Sequence, residues 1–200
     1  MENELSKAER TRQFIIERTA SIFNKKGYAG TSLSDLTGAT GLTKGSIYGN
    51  FKNKEEVAAE VFDYNSAKVR NQVQERIQKA KTYHDKLLVY AQVYHSFSRG
   101  DFPAGGCPIL NTAVDADDTN PLLKDKAAKA VGRWKTRIET LVTEGIEAGE
   151  FKPGVDITEV ALSMIALIEG GIMIAKVTDT PANLDTVLKR VNKLVDELKR

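Results

Sequence analysis

Two helix starts with one glycine between them set the strictest limit on what this chain can fold into. In TSLSDLTGATGLTKGSIYGNFKNKEE, residues Thr31 to Glu56, Ser32 is a good N-cap and Asp35, three residues on, can return its bond. A short helix therefore begins at Leu33. Thr37 falls in the middle of that helix, where a small side chain lets a second helix cross closely. Gly41 offers the positive φ that a tight turn between helices requires. Thr43 caps the next helix, whose outer face carries Lys44, Gly45, Ser46, Tyr48 and Asn50, while Ile47 and Phe51, four apart, face inward. Two short helices about a tight turn, the second polar and weakly basic, follow the logic of a helix-turn-helix entering the DNA major groove.

The rest of the chain keeps helical period, and no stretch alternates with period two, so the expected fold is all-α with about nine helices. In the first segment Ile16, Ala20 and Phe23 share a face, and the helix should stop at Gly27. A fourth helix starts at Asn53, with Glu56 as the returning partner, and runs to about Lys79 with Val57, Val61, Phe62 and Val69 inward. A fifth is expected from Tyr83 to Arg99, ended by Gly100 and the loop DFPAGG. Pro108 suits the first turn of a short sixth helix, and Pro121, after the capping Asn120, opens a seventh through Ile146. GEFKPG reads as a turn. Asp156 with Glu159 opens the eighth helix, Ile157 to about Val177. The ninth shows a stripe of Leu184, Val187, Val191, Leu194 and Leu198, suited to packing on another helix.

Charge is distributed unevenly. The net charge of +2 conceals nine lysines and arginines against five acids in residues 1–54, a net of +4, and a net of −2 in the remainder. The excess sits on the segment that would meet phosphates. A single cysteine, Cys107, excludes an internal disulfide and fits a reducing cytoplasm. The charged start MENELSKAERTRQ lacks the apolar core of a signal peptide. Val160 to Val177 is the most apolar run, but Glu169, Lys176 and the Gly170–Gly171 pair interrupt it, so it reads as a buried helix and no membrane partner is expected.

Gly27-Tyr28, Thr31-Ser32-Leu33, Gly41-Leu42-Thr43-Lys44-Gly45-Ser46-Ile47-Tyr48, Phe51 and Lys54-Glu55 together resemble the signature of the TetR/AcrR family of transcriptional regulators. The resemblance covers about residues 10–56, and nine helices over 200 residues match that family's layout. The sequence departs at Thr37 and Thr40, where alanine is usual, and at Gly49-Asn50, where an aromatic and histidine are usual. Asparagine pairs naturally with adenine, so the family's base preference does not carry over. The resemblance implies a helix-turn-helix DNA-binding domain at 1–52 and a helical regulatory and dimerisation domain at 53–200. It implies phosphate contacts from Ser32 and Thr43, backbone clamps from Tyr48 and Lys54, and base contacts from Lys44, Ser46 and Asn50. Gly45 and Gly49 would let the helix approach the groove. A homodimer through the eighth and ninth helices would present two recognition helices to a pseudo-palindromic operator in double-stranded DNA.

The same resemblance places a small-molecule effector among the fourth to seventh helices, with Tyr94, His95, Phe102, Cys107 and Trp134 as candidate ligand-binding residues. His84 and His95, eleven apart, share a helix face but lie too far apart to hold one metal ion. Cys107, before Pro108, sits at or near a helix N-terminus where a thiolate is favoured, and Lys176 is the amine considered as its redox partner. The bland reading of Cys107 is a small inert core residue.

The expected function is thus a ligand-responsive repressor, released from DNA by a small molecule or by modification of Cys107. Two alternatives stay open: a helical small-molecule carrier or enzyme, and a sequence-neutral DNA-binding protein. Against the first, the sequence holds no metal-spaced cluster, Gly-rich phosphate loop or nucleophile triad, so neither metal nor cofactor is expected. Against the second, residues 1–54 lack dense basic charge and apolar wedges.

Overall fold

The computed structural model describes residues 6–98 and 102–200. Among them the chain is all-α, with nine α-helices, one 3-10 turn and no strand: α1 (Lys7–Lys26), α2 (Leu33–Thr40), α3 (Lys44–Tyr48), α4 (Lys54–Lys79), α5 (Tyr83–His95), α6 (Pro108–Ala116), α7 (Pro121–Glu147), α8 (Ile157–Val177) and α9 (Pro181–Asp196). Most boundaries follow from caps. Ser6 and Glu9 form a capping box at the start of α1, and Gly27, at φ 70°, ends it. Asn120 Oδ1 accepts from Leu123 N at 2.9 Å before Pro121, and Asp156 Oδ1 accepts from Glu159 N at 2.9 Å.

Two boundaries differ from expectation. Asn53 caps α4, accepting from Glu56 N at 2.8 Å, but the Glu56 carboxylate returns to Lys52 N at 2.6 Å and not to Asn53. The fifth helix was expected to reach Arg99, yet α5 ends at His95 and continues as a 3-10 turn, Ser96–Ser98. Arg99 and Gly100 lie outside the described residues.

The chain divides into two compact units. The first takes the chain up to Lys68 together with Pro103–Ala128. Its core gathers Ile15, Ile16, Ala20 and Phe23 of α1, Leu36 of α2, Ile47 and Phe51, Val57 and Val61 of α4, Ala116 of α6 and Leu123 of α7. The docking of α6 on α1 is polar. The buried Asn24 donates from Nδ2 to the carbonyls of Ala104 (3.0 Å) and Gly106 (2.8 Å), and Asn111 Nδ2 donates to Asn24 O at 2.8 Å. Asp115 of α6 accepts from Tyr28 N at 2.7 Å, just past the end of α1. The amides of Asn24 and Asn111 and the Asp115 carboxylate drawn into this contact each find a partner.

The second unit holds Val69–Phe102 and Lys129–Arg200. Here α8 packs along α9, and a Cβ at Gly171 would lie 3.0 Å from Leu184 and 3.2 Å from Val187, so this glycine sets the closeness of that crossing. The buried line of α9 is Leu184, Leu188, Val191 and Val195, continued by Leu198, while Val187 and Leu194 are only partly covered. The apolar seam is thus turned from the stripe expected, toward positions four, three and four apart. α5 runs antiparallel to α9, and its two histidines face α9 acids: His84 Nε2 lies 2.8 Å from Asp196 and His95 Nε2 3.0 Å from Asp185.

The turn after α7 is more ordered than its composition implies. Lys152 N donates to Leu198 O at 2.9 Å and Arg200 N to Glu150 O at 3.2 Å, so the chain end pairs with GEFKPG around a Phe151–Lys199 bridge. Phe151 is 1% exposed and lies on Gly145, where a Cβ would meet two ring carbons at 2.3 Å. Gly145→Ala gains up to about 1 kcal/mol of helix propensity. It loses more to overpacking, which costs about 1–3 kcal/mol. Thermal unfolding of that variant is expected to show Tm lowered by roughly 2–4 °C per kcal/mol of net loss; an unchanged Tm would mean that the ring moves aside freely.

Candidate nucleic-acid interface and effector residues

The first helix of the interface is held by its own cap. Ser32 Oγ accepts from Asp35 N at 3.1 Å, and Asp35 Oδ2 accepts from Ser32 N at 2.8 Å. Asp35 also pairs with Lys26 Nζ at 2.7 Å. The Lys26 ammonium first, then the Ser32 donors, hold its carboxyl down at about 2. Gly41 takes the left-handed conformation at φ 69° and donates to Thr37 O, closing α2. Thr40, a departure from the usual alanine, is buried: its hydroxyl donates to Leu36 O at 2.7 Å and accepts from Leu42 N at 3.2 Å, bracing the turn from inside. Thr43 Oγ1 then accepts from Ser46 N at 3.2 Å and opens α3.

The residues singled out for DNA fall into two groups. Ser32, Thr43, Lys44 and Gly45 are exposed, and they lie on the two N-terminal ends of α2 and α3. Ser46 and Tyr48 are half-buried, with Tyr48 against the core of the unit. Asn50 lies beyond α3, and its Nδ2 turns back to Ser46 O at 2.9 Å. Lys54 Nζ donates to the carbonyls of Tyr28 (2.8 Å) and Thr31 (2.9 Å) and lies 4.3 Å from the centre of the Tyr28 ring. Asn50 and Lys54 thus hold internal bonds that DNA contact would have to exchange. Gly45 has no internal need for its missing side chain, since a Cβ there would find nothing nearer than Thr43 Oγ1 at 3.9 Å.

In the sequence Arg12 and Arg18 count only as two of the nine basic residues of 1–54. Arg18 Nε donates to Ala39 O at 3.1 Å near the end of α2. Arg12 reaches residues 38 to 48 positions away, a relation no local spacing reveals.

The candidate effector residues divide as well. In the second unit Tyr94 stacks on Trp134 at 5.2 Å between ring centres, Tyr90 lies 6.1 Å from Trp134, and Phe102 meets Tyr94 at 5.4 Å and Phe97 at 5.5 Å. These rings are buried apart from the half-buried Phe97, and burial pushes the Tyr90 phenol well above its ordinary range. The Trp134 Nε1–H is buried without a hydrogen-bond acceptor among the described residues. His95 pairs with Asp185 of α9. Cys107 is 1% exposed, at the N-cap of α6 in the first unit, whereas Lys176 is exposed on α8 in the second.

Comparison with known proteins gives the same picture over the whole chain. Residues 15–61 match the family described as bacterial regulatory proteins, tetR family, and residues 84–191 match the tetracyclin repressor-like C-terminal domain. A TetR-family transcriptional regulator from Cytophaga hutchinsonii is 50% identical, covering 98% of both chains with a TM-score of 0.95. A TetR transcriptional regulator from Chloroflexus aurantiacus is 37% identical, covering 98% of this chain and 99% of its own, with a TM-score of 0.92. The transcriptional repressor DhaR of a Mycobacterium species is 23% identical over 88% of each chain. With both its DNA-binding and C-terminal segments matched, this chain belongs to the TetR family of bacterial transcriptional regulators, helix-turn-helix proteins that bind operator DNA as homodimers and respond to small-molecule effectors.

Proposed function

We propose that this protein is a cytoplasmic repressor that holds a pseudo-palindromic operator as a homodimer and leaves it when a small molecule binds the regulatory domain. Residues 1–52 form the reading domain and 53–200 the regulatory and dimerisation domain. Lys44 and Ser46 read base edges, Ser32 and Thr43 meet phosphates at helix N-termini, and Tyr48 flanks them. Asn50 and Lys54 join the DNA contacts on exchanging their internal bonds. The observation that carries this reading is the exposed end of α3, where Lys44 and a sterically unneeded Gly45 stand together.

The effector site is the ring cluster of Tyr90, Tyr94, Phe102 and Trp134. Its buried Trp134 N–H, without an acceptor among the described residues, supports this reading, because such a donor costs about 1–3 kcal/mol until an acceptor arrives. Modifying reagents would first have to reach a Cys107 thiol that is 1% exposed, so effector binding is the favoured route of release. α4 begins at the reading domain and ends in the second unit, and a ligand preferring a shifted α4 would change the spacing of the two recognition helices.

Selection of bound duplexes from a random library at near-physiological salt tests the whole: an inverted repeat is expected, and recovery of no preferred sequence overturns the reading. Gly45→Ala tests the face. Alanine gains about 1 kcal/mol of helix propensity, so Tm holds or rises, while the added methyl keeps the backbone off the groove and operator affinity falls roughly tenfold, about 1.4 kcal/mol. Unchanged affinity would mean that Gly45 faces away from DNA.

A further inference from the structure

The recognition helix is too short to orient itself. α3 has five residues with Gly45 inside and Gly49 directly after. Helices of that length have almost no stability of their own, so their direction is set by what grips their ends. The N-terminal end has the Thr43 cap. The C-terminal end is gripped from outside, by one side chain of α1.

Arg12 makes that grip. Its Nη1 donates to the Asn50 carbonyl, and its guanidinium lies 4.1 Å from the centre of the Phe51 ring. Its Nη2 donates to Glu56 Oε1 at 3.1 Å and Glu60 Oε1 at 3.3 Å on α4. Glu56 in turn accepts from Lys52 N at 2.6 Å with its other oxygen. One planar cation therefore ties the exit of the recognition helix to the first two turns of the helix that leads away from it. The guanidinium is already matched by two carboxylates, so it is poorly suited to add a free positive charge for phosphate. All of these residues lie within the first compact unit.

Resting on the reading of α3 as the recognition element, we propose that Arg12 is a positioning residue that fixes the angle of α3 against α4 and thereby sets sequence discrimination. Lysine cannot replace it. A fork of five donors with a stacking face serves three acceptors and a ring together, whereas an ammonium is a point charge. Removing the cation altogether would leave Glu56 and Glu60 uncompensated beside the DNA face, so the informative change keeps the charge.

The test is Arg12→Lys, with affinity measured for the selected operator and for an unrelated duplex across a salt series. Wild-type protein is measured first. If it fails to discriminate, the reading of α3 falls, and Arg12 is not what failed. With discrimination established, Arg12→Lys is expected to weaken operator binding about tenfold or more while binding to the unrelated duplex and both salt slopes stay unchanged. Unchanged operator affinity overturns the proposal. So does an equal loss on both duplexes with a shallower salt slope, which would make Arg12 a phosphate contact. If Arg12→Lys does not fold, Glu60→Gln keeps the shape and removes one anchor. It is expected to reduce discrimination in the same way, and full discrimination in that variant overturns the proposal.

Discussion

Gly170→Glu should leave the protomer folded and take the dimer apart. α8 is 21 residues long and apolar enough, with mean hydropathy 1.9 over its most apolar window, to cross a bilayer by length and composition, yet 44% of that window is buried inside the protein. Part of the rest is an open face: Leu162 is 47% exposed, Met173 49% and Val177 79%, with the exposed Ala166 between them. Positions 162, 166, 170, 173 and 177 follow helical spacing, and at Gly170 a Cβ would meet nothing within 4 Å. Gly171, by contrast, is filled against α9 of its own chain. The two adjacent glycines thus serve different faces, one internal and one free for a second copy.

Glutamate at Gly170 improves helix propensity by up to about 1 kcal/mol, and its Cβ has nothing within 4 Å in its own chain. Between two copies it would bury like charges about a twofold axis, at a cost of several kcal/mol. Dimer association should weaken, with an expected rise in Kd of about a hundredfold or more, roughly 3 kcal/mol. Operator affinity falls with it, because a lone half-site contact remains. Sedimentation and operator binding on one sample check both, and a dimer intact at micromolar concentration would move the interface elsewhere.

What could be read from the chain before its structure follows the range of each interaction. The caps at Ser32, Thr43 and Asp156 and the left-handed turn at Gly41 depend on neighbours three or four residues away, and these stood where the spacing put them. The inward set of Ile47, Phe51, Val57 and Val61 needed only helical period, and each is buried. Asn50 and Lys54 were read as pointing outward, because neither the Ser46 carbonyl nor the carbonyls of Tyr28 and Thr31 announce themselves as acceptors in a sequence. The α9 seam was displaced because Leu184, Leu188 and Val191 fit the same period as Leu184, Val187 and Val191. Only the packing of α9 against α8 and α5 decides between them. Arg12 was the longest-range relation at this interface and the least visible.

Phe51→Ala is expected to abolish DNA binding while leaving the dimer assembled. Phe51 is 2% exposed and lies in one core with Ile15, Leu36, Ile47 and Val57, directly after the recognition helix. Truncating a buried phenylalanine costs about 3–5 kcal/mol through lost transfer energy and the cavity left behind. The first unit is small, and total domain stabilities are of order 5–15 kcal/mol, so a loss of that size is a large share of its margin. The ring also carries the Arg12 guanidinium on its face, so α3 loses its support below and its anchor beside at once. The core of the second unit includes Ile138, Met164, Ile168 and Val191, none of them in the first unit, so its helices and the open α8 face should persist. Phe51→Leu fills most of the volume and is expected to cost far less, with operator binding retained. Thermal unfolding, sedimentation and operator binding on the two variants check this together. Operator affinity within threefold of wild type for Phe51→Ala would show that α3 keeps its place without the core beneath it.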